Sequence, residues 1–540
     1  AVAVVIALLS ARPYAGGWND GTRLATVEAL VDYHTFAIED SVFVKVPADG
    51  RTYPASDSIL QRTGTYDKLL IDGHYYTDKP PVPAVLLAGV YWAVQRVTSL
   101  SARDDTAIYC WLLTVCQSGL AFVVTVLSWR HIARLVGLAD GPALGLTALF
   151  ALATVAVCYT RVVNTHIVLL AVASLMLVTM LRWQRLAAPW STVMNAESAG
   201  EEPLPLPSPK RGGATTADCE TRQRHFAASA TPLSFNDDRP SPLRGGEGEG
   251  SRPRRLQRLS NSWLLSLLWL GFLGGFAYTT DYGAGPMVFG GLGLWVLLRC
   301  WQLPDWPRRI AGCVAFGVAA LPWLLAHHGI NYAIGGMFAP LNTNPAYFRY
   351  PDCPFTPESL SGGWRHPGPV AFILYAVDML VGQRGFLGNN LMLYLAVCGL
   401  PVLLRRRLAE RPELVCGLVW AAAIVLGFSA SSNNYAGNCV SIRWFLPLLA
   451  PGFLTLAVLL REFPKYRTDC WILAGWTLPW VWLNWVTGPW WRAPVAAYWV
   501  LMSWGLTHWA LYSLWRWGVP QRLILAKRNW RLGAGFLRQP

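Results

Sequence analysis

Two short polar motifs hold the residue types in this chain best suited to chemistry. The first is Asn19-Asp20-Gly21-Thr22-Arg23, just after the apolar run 1–9. The second is Asp78-Lys79-Pro80-Pro81, just before the apolar run 82–97. Asp20 and Arg23 are three apart, so on a helix they share one face. An arginine beside a carboxylate holds it ionised, the form a general base requires. Asp20 is therefore the candidate catalytic base. Lys79 precedes two prolines that stiffen the chain as it enters the bilayer, fixing an ammonium at headgroup depth, where it suits a phosphate oxygen. Lys79 and Arg23 are candidate phosphate binders, with Asp78 in support. A polar loop from Trp18 to Lys79 separates the motifs. An acid and a base at its two lips can face one lipid headgroup, the layout expected of an enzyme working on a charged lipid at a membrane surface.

The elements that must position these residues are membrane spans. Of 540 residues, 53% are hydrophobic and only 14% charged, with a mean hydropathy of +0.32. Soluble domains carry about 25% charged residues. The 28 tryptophans suit interfacial belts. The net charge of +14 reads as the bias of cytoplasmic loops toward Lys and Arg; no basic-aromatic motif points to nucleic acid. The eleven cysteines show no CxxC pair or metal-ligand spacing, and a Cys353–Cys439 disulfide is conceivable but unsupported. Residues 1–9 read as a truncated first span, with a secretory signal ending near Ala15 as the alternative.

Apolar stretches follow at 82–97, 107–128, 142–158, 167–181, 263–278, 286–299, 310–326, 391–404, 413–428, 444–460, 471–486 and 495–514. Basic clusters near 182–185, 299–309, 405–407, 461–467 and 516–538 mark cytoplasmic loops. They place 159–166, 279–285, 327–390, 430–443 and 487–494 on the other face. The expected fold is an all-α polytopic membrane protein of about twelve transmembrane helices, its outer loops carrying short surface helices. One conflict arises. Three stretches separate Lys79 from Arg161, although both are expected outside, so one must fail to cross, and the short Ala-, Thr- and Gly-rich stretch 142–158 is the weakest.

Three regions are expected: an N-terminal membrane module with the first outer loop (1–185), a disordered cytoplasmic insertion (186–258), and the remaining spans (259–540) with outer loops at 327–390 and 430–443. The insertion repeats Pro-Ser-Pro-x-Arg-Gly-Gly, at 207–213 and at 240–246; such composition buries too little apolar surface to offset its ordering entropy.

An apolar start, Asp-x-x-Arg, an amphipathic helix, a polar loop and acidic-Lys-Pro-Pro at the second span resemble the C-type membrane glycosyltransferases. The resemblance is nearest to the protein mannosyltransferases and the lipid A aminoarabinose transferase. It implies transfer of a sugar from a polyprenyl-phosphate donor on the extracytoplasmic face, in the bacterial inner membrane. It implies Asp20 as catalytic carboxylate, with Gly21 standing where the family has a second acid, and Asp78-Lys79 in place of Glu-Lys. A lipid, glycan or protein could be the acceptor. No cofactor or metal is demanded, since basic residues can neutralise the leaving phosphate. Further substrate-binding candidates lie at outer edges: Arg161, Asn164 and His166; Asp281 and Tyr282; Tyr347, Arg349 and Arg384; and Asn434, Tyr435 and Arg443. A lipid-linked glycan ligase or polymerase, leaning on the arginines at 349, 365 and 384, is the closer alternative. A transporter is the more distant one, since no repeat relates the two halves.

Overall fold

The computed structural model describes residues 1–48, 51–198, 251–356, 360, 362–437, 439–490 and 495–536. The chain divides into two units, residues 1–184 with 264–540, and residues 185–263. It is an integral membrane protein. Among the described residues, seven helices are long and apolar enough to cross a bilayer, or eight if one bent pair counts as a single span. Three shorter apolar helices, Pro81–Gln95, Pro369–Val381 and Leu393–Arg405, accompany them.

The chain starts with α1 (Val2–Ser10) and α2 (Trp18–Asp32), followed by the short α3 (Ser58–Thr63). A hairpin of β1 (Lys68–Ile71) and β2 (His74–Thr77) leads into α4 (Pro81–Gln95). Next come α5 (Thr106–Thr114), a π-turn at Val115–Gly119, and α6 (Leu120–Val136), one continuous helix. Helix α7 (Asp140–Leu152) meets a 3₁₀ segment at Val155–Arg161 with a bend of 50°. Beyond lie α8 (Thr165–Ser198), α9 (Ser251–Thr280), α10 (Ala284–Trp301), α11 (Trp306–Gly335), α12 (Pro369–Val381), α13 (Leu393–Arg405), α14 (Arg411–Ser431), α15 (Leu449–Glu462), α16 (Arg467–Thr487) and α17 (Val495–Phe536). Helical backbone thus extends into both ends of the stretch expected to be disordered. Its remainder, 199–250, lies outside the described residues.

The segment between α1 and α4, expected as the first outer loop, is a folded module. Leu24, Val27, Ile38, Phe43, Tyr53, Leu60, Leu87, Tyr91 and Tyr109 form one buried cluster drawn from α2, the loop after it, α4 and α5. Helix α2, expected to lie along a surface, is buried along most of its length. The Glu28 carboxylate ties the following loop to it, accepting the Ser41 hydroxyl (2.5 Å) and the Val42 N–H (3.1 Å).

The hairpin departs from the all-helical expectation. Asp72 (φ +50°) and Gly73 (φ +86°) make a two-residue turn with both φ positive, as a tight hairpin between twisted strands requires. Register pairs Lys68 with Thr77. The hairpin therefore brings Asp67 beside Asp78 and Lys79.

Two of the three stretches between Lys79 and Arg161 depart from a straight span: α4 is short, and 142–158 is bent by 50°. Four residues before α4, at the end of β2, the Thr77 hydroxyl accepts that of Thr22 near the start of α2 (3.0 Å). Helix α4 ends with Tyr91 and Gln95 bonded to Asp32 at the end of α2. Thus α4 lies alongside α2; its 15 residues reach only about 22 Å, short of the ~30 Å hydrocarbon core. The stretch 142–158 packs along α16. Gly145 packs on Trp471 near the start of α16, and the Cys158 thiol donates to the Val481 carbonyl toward its end.

Candidate active site

Asp20 lies in the first turn of α2 with its carboxylate buried. Oδ2 accepts the Gly16 N–H, while the buried Oδ1 has no hydrogen-bond partner. Burial lifts its pKa to about 7; the Gly16 N–H and the Arg12 guanidinium oppose the rise. The cation serving Asp20 is therefore Arg12, which sequence reasoning missed, and not Arg23. Gly21 is explained by a neighbour: a Cβ there would lie 2.4 Å from the Tyr53 hydroxyl, itself fixed by donation to the Phe43 carbonyl (2.8 Å). Tyr53 fills the space that a second acid would need.

Arg23, one turn on, faces other partners. Burial pulls its pKa down to about 10, and Asp281, Asp78 and Asp67 oppose this, while Arg443 adds to it. Lys79 is held by two carboxylates, 2.8 Å from Asp67 Oδ2 and 2.6 Å from Asp78 Oδ2. Its backbone N–H donates to the Thr77 hydroxyl, and its carbonyl accepts the Tyr282 hydroxyl at 3.4 Å. The ammonium is thus fixed by ion pairs at least as much as by the prolines. Burial raises the pKa of Asp78, opposed first by Lys79. Tyr282 also donates to Asn331 Oδ1 of α11 (3.3 Å). Burial raises the Tyr282 hydroxyl, so it stays a neutral donor.

His166 and Asp281 close this cluster, with Nδ1 3.6 Å from Oδ2. Asp281 Oδ1 caps the start of α10 by accepting the N–H groups of Gly283 and Ala284. Several polar atoms around the cluster are buried without a hydrogen-bond partner: Nε of Arg23, Nε of Arg443, Oδ1 of Asp78, Nδ1 of His166 and Nδ2 of Asn331. Such atoms are rare unless a ligand or water completes them.

Trp490 joins this cluster to Asp20. The Arg443 guanidinium lies 5.8 Å from its ring centroid. Gly16 and Gly17 press against its indole so closely that a Cβ on either would come within 3.0 Å of it. Tyr53 feels the charges of both Asp20 and Asp67. The arrangement therefore supplies a buried carboxylate able to take a proton, next to arginines with unused donors.

The other candidates have different roles. Asn164 caps α8 by accepting the His166 N–H at 2.9 Å. Tyr347 donates to the Gly335 carbonyl beside the hairpin cluster, and Arg349 is exposed. Asn434 shapes the loop before Arg443 by accepting the Ala436 N–H. Tyr435 (φ +53°) donates its N–H to the Tyr375 hydroxyl, and Arg384 lies over its ring. Cys353 and Cys439 are both free. Sequence reasoning missed Arg12, Tyr53, Asn331 and Trp490; Arg12 carried the one legible signal, a cation at the end of an apolar run.

No protein-family profile and no curated protein matches this chain. Among solved structures it is similar to ArnT from Cupriavidus metallidurans bound to undecaprenyl phosphate (TM-score 0.42, 14% identity, covering 94% of this chain and 74% of that one). The apo state of the same protein aligns with TM-score 0.41 at 14% identity, with the same coverage. The apo oligosaccharyltransferase from Archaeoglobus fulgidus aligns with TM-score 0.41 at 12% identity, covering 93% of this chain and 55% of that one.

Proposed function

We propose that this protein is an inverting glycosyltransferase. It moves a sugar from a polyprenyl-phosphate donor to an acceptor hydroxyl on the extracytoplasmic face of the membrane. The observation that carries this reading is a buried Asp20 with one unpartnered carboxylate oxygen, linked through Trp490 to a cluster in which Arg23 and Arg443 keep unpartnered Nε–H groups. Asp20 Oδ1 takes the proton of the attacking hydroxyl. The anomeric carbon passes through an oxocarbenium-like state as its bond to the phosphate breaks. Negative charge grows on the leaving phosphate, and groups already in place stabilise it most in the transition state. Arg23 and Arg443 supply those donors. Lys79 has three N–H groups and two carboxylate partners, so one is left for the phosphate. A groove of about 590 Å³ lined by Leu324, Leu325, His328, Gly329, Phe338 and Ala339, on the helix that carries Asn331, suits an isoprenoid chain.

Purified protein is supplied with a polyprenyl-phosphate sugar and an envelope extract as acceptor, and release of polyprenyl phosphate is followed. Asp20→Asn is expected to bind donor normally and turn over about 10²-fold more slowly. An Asn variant that transfers at the normal rate overturns the reading.

A further inference from the structure

A second cationic feature lies near Asp20, whose charge Arg12 reaches. Arg12 follows α1, and Arg161 ends the 3₁₀ segment; the Arg12 N–H donates to the Arg161 carbonyl at 3.1 Å, fixing the two residues together. Each side chain reaches the end of α16, Arg12 donating to the Thr487 carbonyl (2.8 Å) and Arg161 to the Trp485 carbonyl (2.5 Å). Arg161 lies over the Trp485 ring and Arg12 over Tyr14. Gly488 ends α16 at φ +100°, where a Cβ would run into the Arg12 guanidinium. The two charges are close enough to repel, and among the described residues neither has an ion-pair partner.

Capping a helix end does not account for this pair. A helix C-terminus carries about half an elementary negative charge, set against two full positive ones. Two guanidinium groups carry ten N–H donors, yet their side chains make one hydrogen bond each, and both Nε–H groups are buried without a hydrogen-bond partner. Both side chains are half-buried, so the site stays open to a ligand. Uncompensated arginines over aromatic rings bind planar or tetrahedral oxyanions well. The segment from Arg12 to Gly17 also leads directly to Asp20, whose charge Arg12 reaches.

We propose that Arg12 and Arg161 form an anion subsite that holds a phosphate or carboxylate of the acceptor, so that the acceptor's hydroxyl is presented to Asp20. This rests on the transferase reading for the role of Asp20, but the anion site itself does not. The acceptor class is therefore an anionic one, carrying its charge a short distance from the hydroxyl that is glycosylated. That anion belongs either to a lipid headgroup or to a soluble or polymer-borne acceptor.

The test uses the full chain in phosphatidylcholine nanodiscs titrated with inorganic phosphate, and in phosphatidylglycerol nanodiscs without it, each followed by thermal unfolding. Phosphate is expected to raise the midpoint in phosphatidylcholine. Phosphatidylglycerol raising it unaided, and abolishing the phosphate response, identifies a lipid headgroup; a phosphate response surviving in phosphatidylglycerol identifies a soluble or polymer-borne anion. The Arg12→Gln/Arg161→Gln variant keeps amide donors for the two carbonyls but loses both charges, and is expected to bind phosphate about tenfold or more weakly. Polyprenyl-phosphate binding by that variant reports that it is folded. Wild-type protein that responds to neither anion, or a folded double variant with unchanged phosphate affinity, overturns the proposal; if the double variant does not fold, Arg161→Gln alone is read by the same titration. Sugar transfer enters none of these readouts, so normal turnover by Asp20→Asn would sink the transferase reading and leave the anion site standing.

Discussion

At the scale of single residues, burial sets the behaviour of the site. Asp20 in its pocket ionises only near pH 7, well above an ordinary aspartate. As the base it must be deprotonated, so kcat/KM is expected to rise as pH rises through about 7 and to fall about tenfold per unit below it. An activity unchanged between pH 5 and 8 would show that Asp20 is not the titrating base. Gly21 gives a second prediction. Since the Tyr53 hydroxyl occupies the space of its missing Cβ, Gly21→Ala should destabilise the protein by about 1–3 kcal/mol through overpacking, and the same substitution should cost less in a Tyr53→Phe background. Equal unfolding midpoints for wild type and Gly21→Ala would refute that packing account. The motif residues were legible in the sequence because Asp20, Arg23, Asp78 and Lys79 lie in two short polar runs beside apolar ones. Their partners Asp67, Asp281, Arg443 and Trp490 come from distant segments, and contacts across such separations leave no local pattern.

At the scale of elements, length and turn chemistry add what hydropathy does not carry. Helix α4 is apolar but short, and the hydrogen bonds of its Tyr91 and Gln95 to Asp32 hold its end on α2. Stretch 142–158 looked weaker because small residues lower its hydropathy, yet those residues let it pack closely along α16. The prediction follows that Val97, exposed just past α4, lies on the same face as the first loop. A Val97→Cys protein in oriented vesicles should react with a membrane-impermeant maleimide from the face that labels an exposed Lys45→Cys. Labelling from opposite faces would mean that α4 crosses. The hairpin was legible in principle: Asp72-Gly73 between two four-residue strands is a strong turn signal, masked by the surrounding polarity of the loop.

At the scale of the whole molecule, the stretch that joins α8 to α9 stands apart by composition: residues 199–250 are Pro- and Gly-rich in sequence. Replacing them by a short Gly/Ser linker should leave transfer within about twofold of the full chain. A folded deletion variant without activity would assign this stretch a role in the reaction.

Lys79, Arg23 and Arg443 stand against Asp67, Asp78 and Asp281, three charges of each sign within one buried cluster. Such a cluster has no net monopole, so its field dies away within a few ångströms, well inside a Debye length of about 8 Å. It cannot gather phosphates from the aqueous phase by long-range steering. Capture of the donor is left to lateral diffusion within the leaflet, with the isoprenoid tail supplying the affinity, and the encounter rate should be nearly indifferent to salt.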